Sequence, residues 1–204
     1  MIAGVLNLTW RDMKSAGVTD AYSIHRVVYD LFADVRNADQ KNASVPSGIL
    51  FADKGGDGVS RQILFLSDRS PKEPRFGNVQ LKEIPEQFLN HDVYRFETIV
   101  NPTKRDSKTG KLVPLRTRED IAAWFTQKSE KTWGFATDQS GLEVHSIKVV
   151  RFEKKGDKVT IGQARMTGTL RVKDRALFIK SFQQGIGRGR SFGCGLLQIV
   201  PVQI

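Results

Sequence analysis

The sequence predicts an α+β fold of two ferredoxin-like (RRM-like) β-α-β-β-α-β units in tandem. Three features carry this prediction. A strand, helix, strand, strand order read over residues 1–90 starts again over 91–204. Hairpin signals, Gly55-Gly56-Asp57-Gly58 and Gly156-Asp157, fall between paired strands in both passes. The long segment 158–172 alternates cleanly between apolar and polar residues. A chain of 204 residues with 39% hydrophobic content suits two units of about 90–110 residues.

Residues 2–9 alternate loosely and form a first strand, which Gly17 breaks. Thr19-Asp20 offers an N-cap for a helix to about Val35, with Ile24, Val27, Val28, Leu31 and Phe32 on its apolar face. A polar loop, Arg36 to Ser47, leads to strands Gly48–Lys54 and Arg61–Ser67, joined by the glycine-rich turn. Pro71 and Pro74 exclude a regular helix over Asp68–Asn78, so a strand near Val79–Ile84 closes a unit that lacks its second helix. In the second pass Asp92–Asn101 is a strand, with Tyr94, Phe96 and Thr98 on one side and Val93, Arg95 and Glu97 on the other. A basic loop (Asn101–Lys111), a helix over Arg118–Gln127 capped by Thr117, and paired strands Glu143–Lys154 and Lys158–Val172 follow. A helix over Asp174–Gln184 and a last strand, Phe192–Val200, complete it.

Charge divides the chain. Residues 1–100 hold 12 Lys+Arg against 13 Asp+Glu, whereas residues 101–204 hold 20 against 9, so the excess behind the net +10 lies in the second half. That asymmetry points to a polyanionic partner. On strand 158–172 Ala164, Met166, Leu170 and Val172 face the helices, and Arg165, Arg171 and Lys173 form a basic platform with Gln163, Thr167 and Thr169. Lys104, Arg105, Lys108 and Lys111 add the basic loop. No run of roughly 18 apolar residues exists to span a membrane, and the N-terminus lacks a basic leader region. The single cysteine, Cys194, forms neither an internal disulfide nor a zinc cluster. A cytoplasmic protein is expected.

Five glycines (Gly185, Gly187, Gly189, Gly193, Gly195) and two arginines (Arg188, Arg190) fill eleven residues near the end. Bare backbone N–H groups beside guanidinium groups make a phosphate-binding surface. These glycines follow a helix and precede a strand, the reverse of a dinucleotide fingerprint, and they miss the Walker spacing. No small-molecule cofactor is called for; Gly187, Arg188, Gly189 and Arg190 are expected to bind a polyanion.

The histidines, His25, His91 and His145, share no metal-ligand spacing, so no metal is expected. His25 shares a helical stripe with Tyr22 and Tyr29 at the edge of the apolar face. An imidazole beside a phenol suits proton transfer near neutral pH, although a lone helical histidine more often serves structure.

Taken together, Tyr22-x-x-His25, Asn101-Pro102 with its basic insert, and the tail Gln183-Gln184-Gly185-Ile186-Gly187 to Ser191-Phe192-Gly193-Cys194-Gly195 resemble the CasE family, the CRISPR repeat-processing endoribonucleases of the Cascade complex. The resemblance runs end to end. It implies the same tandem fold, metal-independent cleavage at the base of a CRISPR repeat RNA stem-loop, and retention of the product with other Cascade subunits. It makes His25 the catalytic histidine with Tyr22 as its partner, and makes Gly185–Gly195 the loop that shapes the RNA surface between the units. The proline-bearing 68–78 segment departs from the family pattern.

Without metal, RNA is cut most readily by its own 2′-OH, which needs one group to take a proton and another to supply one. His25 suits either role; Tyr22, a phenol and so a weak acid by type, suits positioning or donation. Arg26 points about 100° away from His25 along the helix, and Cys194, between glycines, reads as packing. A non-catalytic RNA-binding scaffold is the alternative, but no RNP-type segment lies on a central strand. A relative that only binds the repeat is disfavoured by the presence of both Tyr22 and His25.

Overall fold

Thr9 ends the first strand and starts the first helix. Its hydroxyl accepts from Asp12 N while the Asp12 carboxylate accepts from Thr9 N (2.8 Å), a capping box that turns the chain at once into a short helix. The computed structural model describes residues 1–43, 45–154 and 156–202. In its first half lie β1 (Ile2–Thr9), α1 (Trp10–Ser15), α2 (Ala21–Asp30), α3 (Ala38–Asn42), β2 (Ile49–Gly56), β3 (Ser60–Ser67) and β4 (Asn78–Glu83). The second half holds β5 (Val93–Val100), β6 (Thr103–Arg105), β7 (Leu112–Pro114), α4 (Arg118–Lys128), β8 (Phe135–Thr137), β9 (Glu143–Lys154), β10 (Asp157–Val172), α5 (Arg175–Gln184) and β11 (Gln198–Pro201).

Both halves build the same antiparallel sheet. The first is ordered β2-β3-β1-β4; in the second β11, β5 and β10 follow one another, and β8 and β9 pair with different stretches of β10. Strand order 4-1-3-2 in each half is the ferredoxin-like arrangement, so the predicted tandem fold is what the chain adopts.

Strands β2 and β3 are apolar at consecutive positions because both faces of their sheet are covered. Ile49, Phe51, Ile63 and Phe65 pack with Leu6 and Leu8 of β1 against Ile24 and Val28 of α2. Leu50, Ala52 and Leu66 turn the other way, into the core that holds Tyr94, Phe96, Phe178, Phe182, Leu196 and Leu197 of the second half. The two halves therefore share a buried apolar contact, which fixes α2 relative to the second sheet.

The structure corrects several expected boundaries. The helix predicted to Val35 ends at Asp30, with Leu31 as its C-cap, and Leu31 and Phe32 are both buried just beyond it. Phe32 meets Phe65 edge-on at 5.5 Å. Arg69 then donates to Ala33 O, and Lys72 N to Leu31 O, so the proline-bearing segment 68–77 ties down the end of α2 where a second helix was absent, as expected. Helices α1 and α3 and strands β6, β7 and β8 were not anticipated; β6 and β7 make a hairpin of the expected basic loop. The last strand begins at Gln198 rather than Phe192, because Gly189, Gly193 and Gly195 all have positive φ and hold the chain in turns until they are passed.

Candidate active site

Helix α2 carries the site. Asp20 caps it, accepting from Ser23 N at 2.7 Å while Ser23 Oγ accepts from Asp20 N at 2.9 Å. Ile24 and Val28 are buried against the first sheet, which leaves Tyr22, His25 and Tyr29 on the edge that meets the second half. The Tyr22 and His25 rings lie nearly parallel, 5.8 Å apart, and Tyr29 covers the imidazole at 4.1 Å. From the second half, Phe152 of β9 stacks on Tyr22 at 6.2 Å, and Phe192 stands 5.6 Å from His25. His25 Nδ1 donates to the carbonyl of Ser191 at 2.8 Å. The predicted catalytic pair and the glycine-rich tail thus meet, across 166 residues of sequence.

Ser191 sits in a 3-10 turn, Arg190–Phe192, between Gly189 and Gly193. Both glycines are left-handed (φ 76° and 80°), and a Cβ at Gly193 would come within 3.3 Å of the Phe51 ring. The left-handed backbone favours glycine at both positions. The carbonyl of Gly189 accepts from Phe192 N and Cys194 N, which closes the turn that aims Ser191 O at His25.

His25 lines a cleft of about 980 Å³ together with Arg36, Lys41, Lys154 and Arg190. Asp34 pairs with Arg36 and Lys41. Lys154 has no carboxylate partner among the described residues; its Nζ lies 5.7 Å from the Phe192 ring centre. Burial lowers the His25 pKa below the ordinary histidine value. The Ser191 carbonyl opposes this, and the charges of Lys154 and Arg36 add to the lowering. The imidazole is therefore held neutral near neutral pH.

A second cleft of about 770 Å³ adjoins the first, sharing Gln184 and Arg190 with it. It is lined by Lys104, Arg105, Lys128, Lys180 and Arg188, with Gly187 at its wall. A basic path therefore runs from the β6–β7 hairpin past Arg190 to His25.

A family model described as CRISPR associated protein matches residues 4–201. The chain belongs to the CasE family of CRISPR associated proteins. The CRISPR-associated endoribonuclease Cse3 of Thermus thermophilus is 29% identical over 118 residues, 52% of this chain and 55% of Cse3. The Cascade subunit CasE of Escherichia coli K12 is 30% identical over 110 residues, 52% of this chain and 53% of CasE. The chain thus matches about half the length of these curated relatives. Among solved structures, Cse3 bound to a 19-nucleotide RNA superposes with a TM-score of 0.79 at 20% identity, covering 98% of this chain and 100% of that one. Escherichia coli Cas6e does so with a TM-score of 0.72 at 22% identity, covering 99% and 100%. Both share the tandem fold.

Within this CasE-family fold the sequence-predicted residues separate into groups. Lys104, Arg105, Arg188 and Arg190 converge with Gly187 on the second cleft, next to the His25 site. Gly189 stands behind it, against Cys194 and Asn101. Lys108 and Lys111 are exposed at the end of the β6–β7 hairpin. Arg165 lines a different cleft and is paired with Glu97. Arg171 and Lys173, exposed at the far end of β10, line neither basic cleft. Arg26 is exposed over the Tyr22 ring at 5.8 Å. Cys194 is fully buried, its thiol pushed up to about 12 by burial, so it packs as expected. His145 bonds Thr167 Oγ1 away from the site, and among the described residues no group of three or more His, Cys, Asp or Glu could hold a metal.

Sequence reasoning missed Lys154, Arg36, Lys41, Lys128 and Lys180. Lys154 alone had a local signal, since it shares a strand face with Phe152 two residues earlier. The others are brought in only by tertiary packing.

Proposed function

We propose that this protein is a metal-independent endoribonuclease that cuts CRISPR precursor RNA at the repeat stem-loop. The observation that carries the reading is His25, neutral and hydrogen-bonded through Nδ1, in a basic cleft. A carbonyl only accepts, so Nδ1 bears hydrogen and Nε2 keeps its lone pair. His25 then acts as the base. Its Nε2 takes the proton of the ribose 2′-OH, whose oxygen attacks the adjacent phosphorus. The bond to the 5′-oxygen breaks, that oxygen takes up a proton from solvent water, and the products are a 2′,3′-cyclic phosphate and a 5′-hydroxyl. Lys154, in the same cleft, offsets the charge that builds on the phosphorane. Tyr22, stacked between His25 and Phe152, positions the imidazole.

The division of labour follows the two units, residues 1–90 supplying His25 and residues 91–204 most of the RNA-binding charge. Lys104, Arg105, Arg188 and Arg190 grip phosphates along the path to His25. The Escherichia coli relative is named as a Cascade subunit, and that likeness supports retention of the product with other subunits of such a complex. The test is a repeat RNA with a single 2′-deoxynucleotide just 5′ of the scissile phosphate, in excess EDTA. It should bind and resist cleavage, while the all-ribose RNA is cut in the same buffer. Cleavage of the deoxy RNA, or a downstream fragment with a 5′-phosphate, would make water the nucleophile and remove His25 from this role.

A further inference from the structure

The glycine-rich loop reaches His25 through its backbone alone, so whatever anchors the loop also holds the imidazole. The 2.8 Å contact with Ser191 O selects the Nδ1–H tautomer of neutral His25. Free imidazole side chains in water favour the other tautomer, with hydrogen on Nε2. Among the described residues, His25 Nε2 has no hydrogen-bond partner.

One side chain of the second sheet anchors this loop. Gln163 of β10 donates its amide Nε2 to the carbonyl of Phe192 at 3.0 Å, one residue after Ser191, and lies 3.7 Å from Cys194 Sγ. Apart from His25 itself, Gln163 is the only side chain among the described residues that hydrogen-bonds the backbone of 189–195. Cys194 is sealed beneath it, with no exposed surface. Gly195 N, bonded to Ile99 O at 2.7 Å, fixes the far end of the loop to β5. Gln163 does not line the His25 cleft. It touches the reaction only through the loop.

We propose that Gln163 is a positioning residue for His25: by fixing the Phe192 carbonyl it sets the direction of the Ser191 carbonyl, and so the ring tautomer, across the junction of the two units. The second unit would then contribute to the chemical step as well as to binding. The glycines at 189 and 193 allow the turn, and Gln163 chooses one of its settings.

Long-range 1H–15N spectra of the 15N-labelled protein, with His25→Ala for assignment, report the tautomer directly. Wild-type His25 should carry its hydrogen on Nδ1. In Gln163→Leu a detectable Nε2–H population should appear, single-turnover cleavage of repeat RNA should slow about 10-fold, and RNA affinity should change by less than about twofold. Gln163→Glu keeps the shape without the donor and should behave alike, so a poorly folded leucine variant does not remove the test. A wild-type ring with hydrogen on Nε2 overturns the proposal. So does a folded variant in which either the tautomer or the cleavage rate matches wild type. The kinetic arm rests on the endoribonuclease reading above. If the wild-type protein cuts no RNA, that reading fails by itself, and the tautomer comparison still decides whether Gln163 positions His25.

Discussion

Arg165 grips Glu97 with two parallel hydrogen bonds, Nε to Oε1 at 3.0 Å and Nη2 to Oε2 at 3.1 Å. Lys54, on β2 of the other sheet, pairs with the same carboxylate. Glu97 therefore ties the two halves together and neutralises an arginine that the charge pattern alone offers to a polyanion. Burial pushes the Glu97 carboxyl up, but the hydrogen bonds from Arg165 and Lys54 outweigh it and hold it below the ordinary glutamate value. The stability this knot supplies is present above the ordinary glutamate pKa. It fades as pH falls through the lower folded value.

Glu97→Gln separates the two roles of Arg165. Thermal or denaturant unfolding should show a loss of roughly 1 kcal/mol, since the group is only partly buried and solvent screens it. RNA affinity should rise, and the slope of log affinity against log salt should steepen by about one to two units, as Arg165 and Lys54 become free for phosphates. An unchanged slope would show that RNA does not reach this cleft.

His25→Ala should slow cleavage by roughly 10²–10⁴-fold with little change in affinity, the loss expected for a general base. The pH dependence gives the sign. The His25 pKa is lowered, so the neutral, proton-accepting form prevails at neutral pH. Single-turnover rates should be level above about pH 6.5 and should fall only in acid, with the inflection below that value. A rate that instead declines as pH rises through this range would make His25 the acid.

Tyr22 distinguishes positioning from proton donation. If its ring braces His25 against Phe152, Tyr22→Phe keeps the stack and should lower the rate by less than about threefold, whereas Tyr22→Ala should cost about 10-fold or more through lost aromatic packing. A phenylalanine variant as slow as the alanine one would assign the phenol hydroxyl a place in the proton transfer.

The strands were legible because their patterns are local. Alternation over 158–172, the Gly156-Asp157 turn, and the proline-broken 68–78 segment each constrain the backbone within a few residues. The consecutive apolar runs Ile49–Ala52 and Ile63–Leu66 lie in strands whose sheet is covered on both faces, and which element covers each face is a tertiary matter. Tyr22 and His25 could be paired from helical spacing. Their contact with Ser191 could not, since residues 25 and 191 meet only after both sheets have formed and docked. The same limit explains the basic residues. Net charge marked the second half as the expected polyanion-binding half, but only packing shows that Arg188 and Lys104 share a cleft while Arg165 is paired with Glu97.

Arg190 is where those two scales meet, because it lines both the His25 cleft and the adjoining basic cleft and donates to Gln184 O at 2.8 Å. On the proposed path, a phosphate moving from the hairpin side toward His25 meets it. Arg190→Ala should weaken stem-loop binding by roughly 1–2 kcal/mol and reduce the salt slope by about one. It should also lower the cleavage rate at saturating protein, because the strand beyond it is no longer held in line with His25. Arg188→Ala, confined to the second cleft, should lose affinity with the saturated rate unchanged. Arg171→Ala, outside both clefts, should bind and cut as wild type does. Salt-dependent binding and single-turnover cleavage measured on the three variants separate these outcomes. Equal losses for Arg171 and Arg190 would mean that RNA lies along the open face of β10 instead of along the path through the two clefts.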